Sequence, residues 1–244
     1  MKVKNIFILA AMSLTLASCS DLFEPADENN RGLDEIYNEP TYAQGLLGYG
    51  YAMLPYNTKS VTDVATDDAV SNDLTNSFLK MATGSWTANS DPMSKWTNGR
   101  ASIQYLNIFL QEVDKVNWAK DENARKMYCD SRKGEAYALR ALNLYYLLMN
   151  HGGWTADGKL LGVPNLTEPE TSTDDFNKPR NTFQECLDQI YSDLDEAAKL
   201  LPLDYNDLTN DNDVPAKYKE IGVKTAGDYN LSLIHISEPT RLRR

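Results

Sequence analysis

Histidine is nearly missing from this chain, with only His151 and His235 in 244 residues. With no HExxH pair either, a histidine-ligated zinc hydrolase has nothing to build its metal site from. Also missing are a phosphate-binding glycine loop, a dinucleotide fingerprint and a GxSxG elbow, which excludes the commonest nucleotide enzymes and serine hydrolases that announce themselves by motif. Basic residues are scarce as well: 24 lysines and arginines stand against 35 acidic residues, a formal charge of −11. Nucleic acid is excluded as a partner on that balance, because phosphate contacts need a basic patch. Cysteine occurs three times, at 19, 129 and 186. That is too few for a disulfide scaffold; Cys129 and Cys186 either pair outside the cytoplasm or stay as buried thiols, and their spacing decides neither.

Long apolar runs are absent too. The run at 6–17, IFILAAMSLTLA, makes about 18 Å of helix, well short of a bilayer core of about 30 Å. Preceded by Lys2 and Lys4, it reads as the core of a signal peptide. Leu16, Ala17, Ser18 and Cys19 follow it as a lipobox, in which an apolar and two small residues precede the thiol that accepts diacylglycerol. Residues 1–18 are therefore expected to be removed and Cys19 to be lipidated, anchoring the protein in a bilayer. Residues 19–32, polar and acidic with Pro25 and Gly32, read as a tether.

At the other end, 231–241 reads LSLIHISEPTR, which matches translated read-through of a sequencing adapter. Residues 231–244 are accordingly expected to be an artefact, with natural sequence ending near Asn230. The remainder, 19–230, carries 19 basic and 34 acidic residues, a charge of −15. An acidic body on a lipid anchor suits that balance.

The body at 33–230 reads as helical. A first helix is expected over about 40–54, capped by Asn38 with Pro40 in its first turn. Residues 57–100 are rich in Thr, Asn, Asp and Ser and read as a long excursion of loops, of the kind that carries function. Ile103, Leu106, Leu110 and Val113 share one face of a second helix. A third spans 121–150, with a break expected near Ser131 and a stop at Gly152-Gly153, where His151 would complement the helix dipole as a cation. Thr182 and Glu185 form a capping box for a fourth, whose stripe of Phe183, Cys186, Leu187, Ile190, Leu194 and Ala198 is expected to face the core before Pro202 ends it. Strand signals are few. The fold class is all-α, with helix pairs like those of tetratricopeptide repeats and long irregular loops; from periodicity alone, any antiparallel helix pair fits as well.

Asp67-Asp68 and Asp174-Asp175 are the acidic pairs that a metal or glycosidase site would use. Neighbouring residues diverge and no third ligand is in view, so both read as turns. No catalytic residue, metal ligand or cofactor site is assigned. Trp86, Trp96, Trp118 and Trp154 offer stacking faces, though burial at helix junctions is the commoner fate of tryptophan.

Several segments, in order, resemble the SusD/RagB family: CSDLFEP after the lipobox, GYAMLPY at 50–56, Thr66-Asp67-Asp68, YLNIFLQEVD at 105–114, GEAYALRALNLYYLLMNHGG at 134–153, then RNTFQECLDQIYSDLDEAAKLLP at 180–202. Gly134, Glu135, Ala136, Arg140, Ala141, Asp193, Leu194, Ala197, Leu201 and Pro202 match the family's usual form. The resemblance implies a cell-surface, outer-membrane lipoprotein that captures oligosaccharides without chemistry and hands them to a SusC-like TonB-dependent transporter. It also implies that members are about twice as long, with helical repeats and part of the ligand site in their C-terminal half. Part of the sugar site is implied in the loop after Thr66-Asp67-Asp68, which here is 70–80. There Asn72, Asp73 and Asn76 would fix hydroxyls and Phe78 would offer a ring, with Trp86 near in sequence. Starch-binding members carry tryptophan in this loop; its absence at 70–80 points to another glycan. The rival readings are a lipoprotein glycoside hydrolase and a structural helical-repeat adaptor at the outer membrane.

Overall fold

In the computed structural model of the chain, residues 37–55, 61–202 and 208–230 are described. Cys19, the apolar run, the tether and the 231–244 tail lie outside them. Among the described residues the only sheet is a two-stranded one, β1 (Gly153–Trp154) against β2 (Leu160–Leu161), antiparallel with Gly153 opposite Leu161. Everything else regular is helix, and the fold is all-α.

The main helices are α1 (Pro40–Ala52), α3 (Trp96–Glu112), α4 (Glu122–His151) and α5 (Phe183–Leu200), with short helices α2 (Leu79–Ala82) and α6 (Ala216–Glu220). Pro40 opens α1 as expected, but its N-cap is Glu39 rather than Asn38, whose amide oxygen instead accepts from Asn117. Helix α4 runs unbroken for 30 residues, about 45 Å. The expected break at Ser131 does not occur: this serine is buried inside the continuous helix, where a small side chain fits. Asp121 caps α4 by accepting from the Ala124 amide at 2.8 Å, and the Thr182–Glu185 capping box opens α5.

Helix α4 is the spine. Its first half packs with α1, α3 and the 208–230 segment around Leu47, Leu106, Phe109, Met127 and Tyr218. Its second half packs with α5 around Ile103, Leu144, Leu148, Cys186 and Ile190. The end of α4 meets the start of α3, where the Lys95 amide donates to His151, so this pair is antiparallel. Helices α4 and α5 are antiparallel too, since Gly134 lies against Leu201, the C-cap of α5. A Cβ on Gly134 would stand 2.8 Å from Leu201 Cγ and 3.1 Å from its backbone nitrogen, so only glycine allows this approach.

The buried line of α5 differs from the expected stripe. It runs through Cys186, Ile190, Asp193 and Ala197, while Leu194 is 44% exposed and Ala198 is exposed. A carboxylate occupies a core position because its partner is also in the core. Arg140 of α4 grips Asp193 with two bonds, Nε to Oδ2 at 2.8 Å and Nη2 to Oδ1 at 2.6 Å. Its Nη1 donates to Asn107 Oδ1 at 2.9 Å and to the Thr167 carbonyl at 3.2 Å. Asn107 in turn donates to the carbonyls of Leu166 and Glu168, and Gln189 donates to Asp193. One network thus ties α3, α4, α5 and the connection before α5 together, with its polar ends satisfied.

Two further cations close helix ends. Arg180 donates to the carbonyls of His151, Leu161 and Gly162, so it supplies the positive charge at the end of α4. His151 does not: burial holds its pKa below the usual value, and its Nε2 accepts from the Lys95 amide at 3.3 Å. Lys217 of α6 donates to the carbonyls of Lys199, Leu200 and Leu201 at 2.8–3.1 Å, capping α5 and docking the 208–230 segment. Both downstream cysteines are free thiols, Cys129 beside Asp114 and Cys186 against Val163, in different clusters.

Candidate functional site

The excursion between α1 and α3 is built from local turns, and their chemistry follows from the Asn, Asp, Ser and Thr that compose it. A 3-10 turn at Val61–Ala65 leads into Thr66, whose hydroxyl donates to the Asp63 carbonyl and accepts from the Asp68 amide. Asp67 and Asp68 are exposed in the bend that follows, the placement expected of a turn. In 70–80 three short polar side chains, Ser71, Asp73 and Asn76, bind backbone two residues on. Ser71 Oγ accepts from the Asp73 amide at 3.1 Å. Asp73 Oδ1 accepts from the amide and hydroxyl of Thr75 at 2.9 and 2.6 Å. Asn76 Oδ1 accepts from the Phe78 amide at 2.9 Å, just before α2. Such Asx and hydroxyl turns order a loop without a core beneath it.

The expected sugar-facing residues therefore stand as follows. Asn72 and Asp73 are exposed; Asn76 and Phe78 are partly buried; Trp86 is half exposed. The Thr75 hydroxyl, and then its amide, hold the Asp73 carboxyl below the usual carboxylate range, so it is an anion and an acceptor at neutral pH. Asp73 Oδ1 and Asn76 Oδ1 are committed to the loop itself, while Asp73 Oδ2, the Asn76 amide nitrogen and the Asn72 amide make no hydrogen bond among the described residues. Trp86 directly precedes a turn closed by the Thr87–Ser90 bridge, and Lys80 Nζ donates to Ser90 Oγ at 2.6 Å. That bond holds the Trp86 turn to α2, so the 70–80 loop and Trp86 belong to one local unit.

The tryptophans depart from expectation. Only Trp118 is buried, stacked on Tyr128 and bonded to the Val113 carbonyl. Trp86, Trp96 and Trp154 are 51%, 39% and 74% exposed. Trp96 and Trp154 lie at element starts, after a loop and a glycine stop, where a large side chain is not forced inward; that position is the signal in the sequence that marks them as surface rings. A second feature also went unread: an apolar cleft between α4 and α5, bordered by Leu142, Tyr145, Tyr191 and Leu194. Among the described residues no cluster of metal ligands occurs, and no helix is long and apolar enough to cross a membrane.

Residues 33–217 match the model of a SusD-like family described as starch-binding and associating with the outer membrane. A SusD-like protein, P38, from Formosa agariphila is 35% identical over 113 residues, which is 45% of this chain and 21% of the relative. Among solved structures, a SusD-like protein from Bacteroides fragilis superposes with a TM-score of 0.55 at 21% identity, over 72% of this chain and 33% of its own length. A putative sugar-binding protein from Bacteroides vulgatus does so with a TM-score of 0.51 at 25% identity, over 83% of this chain and 46% of its own. The chain thus spans between about a fifth and under half of the length of these relatives. The family's description and that of the Bacteroides vulgatus protein name sugar binding.

Proposed function

Since the chain belongs to the SusD-like family, we propose that it is a non-enzymatic glycan-binding protein of the outer membrane. In this reading acylated Cys19 holds it at the cell surface and it delivers oligosaccharides to a SusC-like TonB-dependent transporter. The observation that carries the reading is the family match over 33–217, which includes the whole loop excursion as well as the helical frame. The loop chemistry supports it. Asn72, Asp73 and Asn76 present hydrogen-bonding groups suited to hydroxyls, on a segment held in shape by its own turns. Phe78 and Trp86 add ring faces that suit the C–H face of a pyranose.

Stacking and each hydrogen bond contribute on the order of 1 kcal/mol, and about 1.4 kcal/mol is tenfold in affinity. Calorimetry with the glycan selected on an array should therefore show at least about a tenfold loss for the Asn76→Ala, Phe78→Ala double variant, with an unchanged melting temperature. Unchanged affinity removes this loop from the site, and an array with no glycan bound at all overturns the reading. Cys19→Ala should move the protein from membranes to soluble fractions, because several acyl chains at about 0.8 kcal/mol per buried CH₂ make the anchor durable.

A further inference from the structure

No residue between 63 and 94 is buried, although this stretch joins two helices that belong to the core. Among the described residues its hydrogen bonds close on itself or on the first turn of α3, as Asp73 does on Thr75, Lys80 on Ser90 and Ser94 on the Trp96 amide. The bond that crosses to another helix comes at its last step, where the Lys95 amide donates to His151 Nε2 at the end of α4. A stretch with no buried side chain belongs to the least stable part of a fold, so that one bond governs how firmly it is held to the frame.

The bond needs a neutral ring. With Nε2 as acceptor, the single ring proton is on Nδ1; a second proton goes to Nε2 and sets an N–H against the Lys95 N–H. Most of the charge around the ring opposes that proton. Lys95 is the N-cap of α3, a helix of 17 residues whose amide end carries partial positive charge. Arg180 brings its guanidinium to the His151 carbonyl at 3.1 Å. Trp96 lies edge-on to the imidazole at 5.4 Å, and Arg100 stands 5.6 Å from the Trp96 ring. Asp91 attracts the proton, but burial of the ring outweighs it. We propose that His151 is a pH-operated latch: its neutral ring holds the return of the 61–95 stretch to the end of α4, and protonation of Nε2 releases that stretch while α4 and α5 stay packed. The latch does not depend on what the stretch binds, so it stands or falls apart from the proposed function.

Two measurements on the whole protein, over one pH series from about 8 to about 4, test this. NMR of the His151 ring Cε1–H, recognised by its loss in His151→Gln, gives the pH at which the ring charges. Amide exchange, expressed as protection relative to the free chain at each pH, shows what charging does. Across the His151 midpoint the Lys95 amide and the hydrogen-bonded amides of 61–94 should lose at least about tenfold in protection, while those of α4 and α5 keep theirs. His151→Gln retains an acceptor and has no proton to gain, so it should keep the stretch protected throughout. His151→Lys is a fixed cation with no acceptor and should leave it open at every pH in the series. Equal protection on both sides of the midpoint, the same loss in His151→Gln, or full protection in His151→Lys overturns the latch. So does a loss that reaches α4 and α5 by the same factor, because that is general acid unfolding.

Discussion

Breaking the Arg140–Asp193 pair should be among the most damaging single changes available in this molecule. The side chains are 8% and 2% exposed, so neither charge is solvated once its partner is gone. Asp193→Ala removes two of the four bonds that Arg140 makes and strands a guanidinium in the interior. Removing one partner of a buried pair costs about 3–5 kcal/mol, against a total stability of about 5–15 kcal/mol for a protein. At about 2–4 °C per kcal/mol for a chain of this size, the melting temperature should drop by roughly 6–20 °C. Urea unfolding followed by far-UV circular dichroism measures the loss, and repeating it in high salt should change little, because a buried pair is weakly screened. The combination of Arg140→Met with Asp193→Leu should cost less than either single change, since no charge is then left alone. The residual cost would come from Asn107, Gln189 and the Thr167 carbonyl, which lose their partner. If Asp193→Ala costs less than about 1 kcal/mol, or the two changes simply add, the pair does not hold the helices together.

Three further outcomes follow from the same geometry. Lys217→Met should expose the carbonyls at the end of α5, costing about 1–3 kcal/mol and speeding amide exchange across 208–230; exchange confined to 217 itself would argue against capping. Burial pushes the Cys129 thiol up to about 12, and burial also raises that of Cys186, so neither should react with Ellman's reagent in the folded protein at pH 8, whereas both should once unfolded. Burial lowers the His151 pKa below about 6.5, the value expected of the unfolded chain. The folded state therefore binds fewer protons: the His151 contribution is complete above that pH and is lost as pH falls through the folded value. Melting temperatures from pH 8 to 5 should decline less steeply in His151→Gln than in the unmodified protein, and parallel slopes would refute it.

The helices were legible because their signals are local. Pro40 at a first turn and the Thr182–Glu185 box each act within one turn of the chain. What local pattern missed was set by partners distant in sequence. Asp193 reads as a surface residue because its burial depends on Arg140, 53 residues earlier. Shifting the α5 stripe by one position to include it turns Leu194 outward. Likewise His151 reads as a helix-end cation until Arg180 takes that place from 29 residues away, while burial holds the imidazole pKa down.

Gly134, Arg140, Asp193 and Leu201, among the residues by which the sequence resembles its family, meet in the structure as contacts between α4 and α5. They mark the helical frame, and three of them each have one chemistry that fits there: no Cβ at 134, a planar fork at 140, a carboxylate at 193. The 70–80 loop is under no such constraint. Its turns need only short polar side chains that bind backbone two residues away, and Asn, Asp, Ser and Thr all do this. A loop that holds its shape by interchangeable residues can change the groups it presents while the helical frame stays fixed. Under the glycan-binding reading proposed above, ligand identity is for that reason the property least readable from family likeness, and Asn72, Asp73, Asn76 and Phe78 are the residues to test one by one.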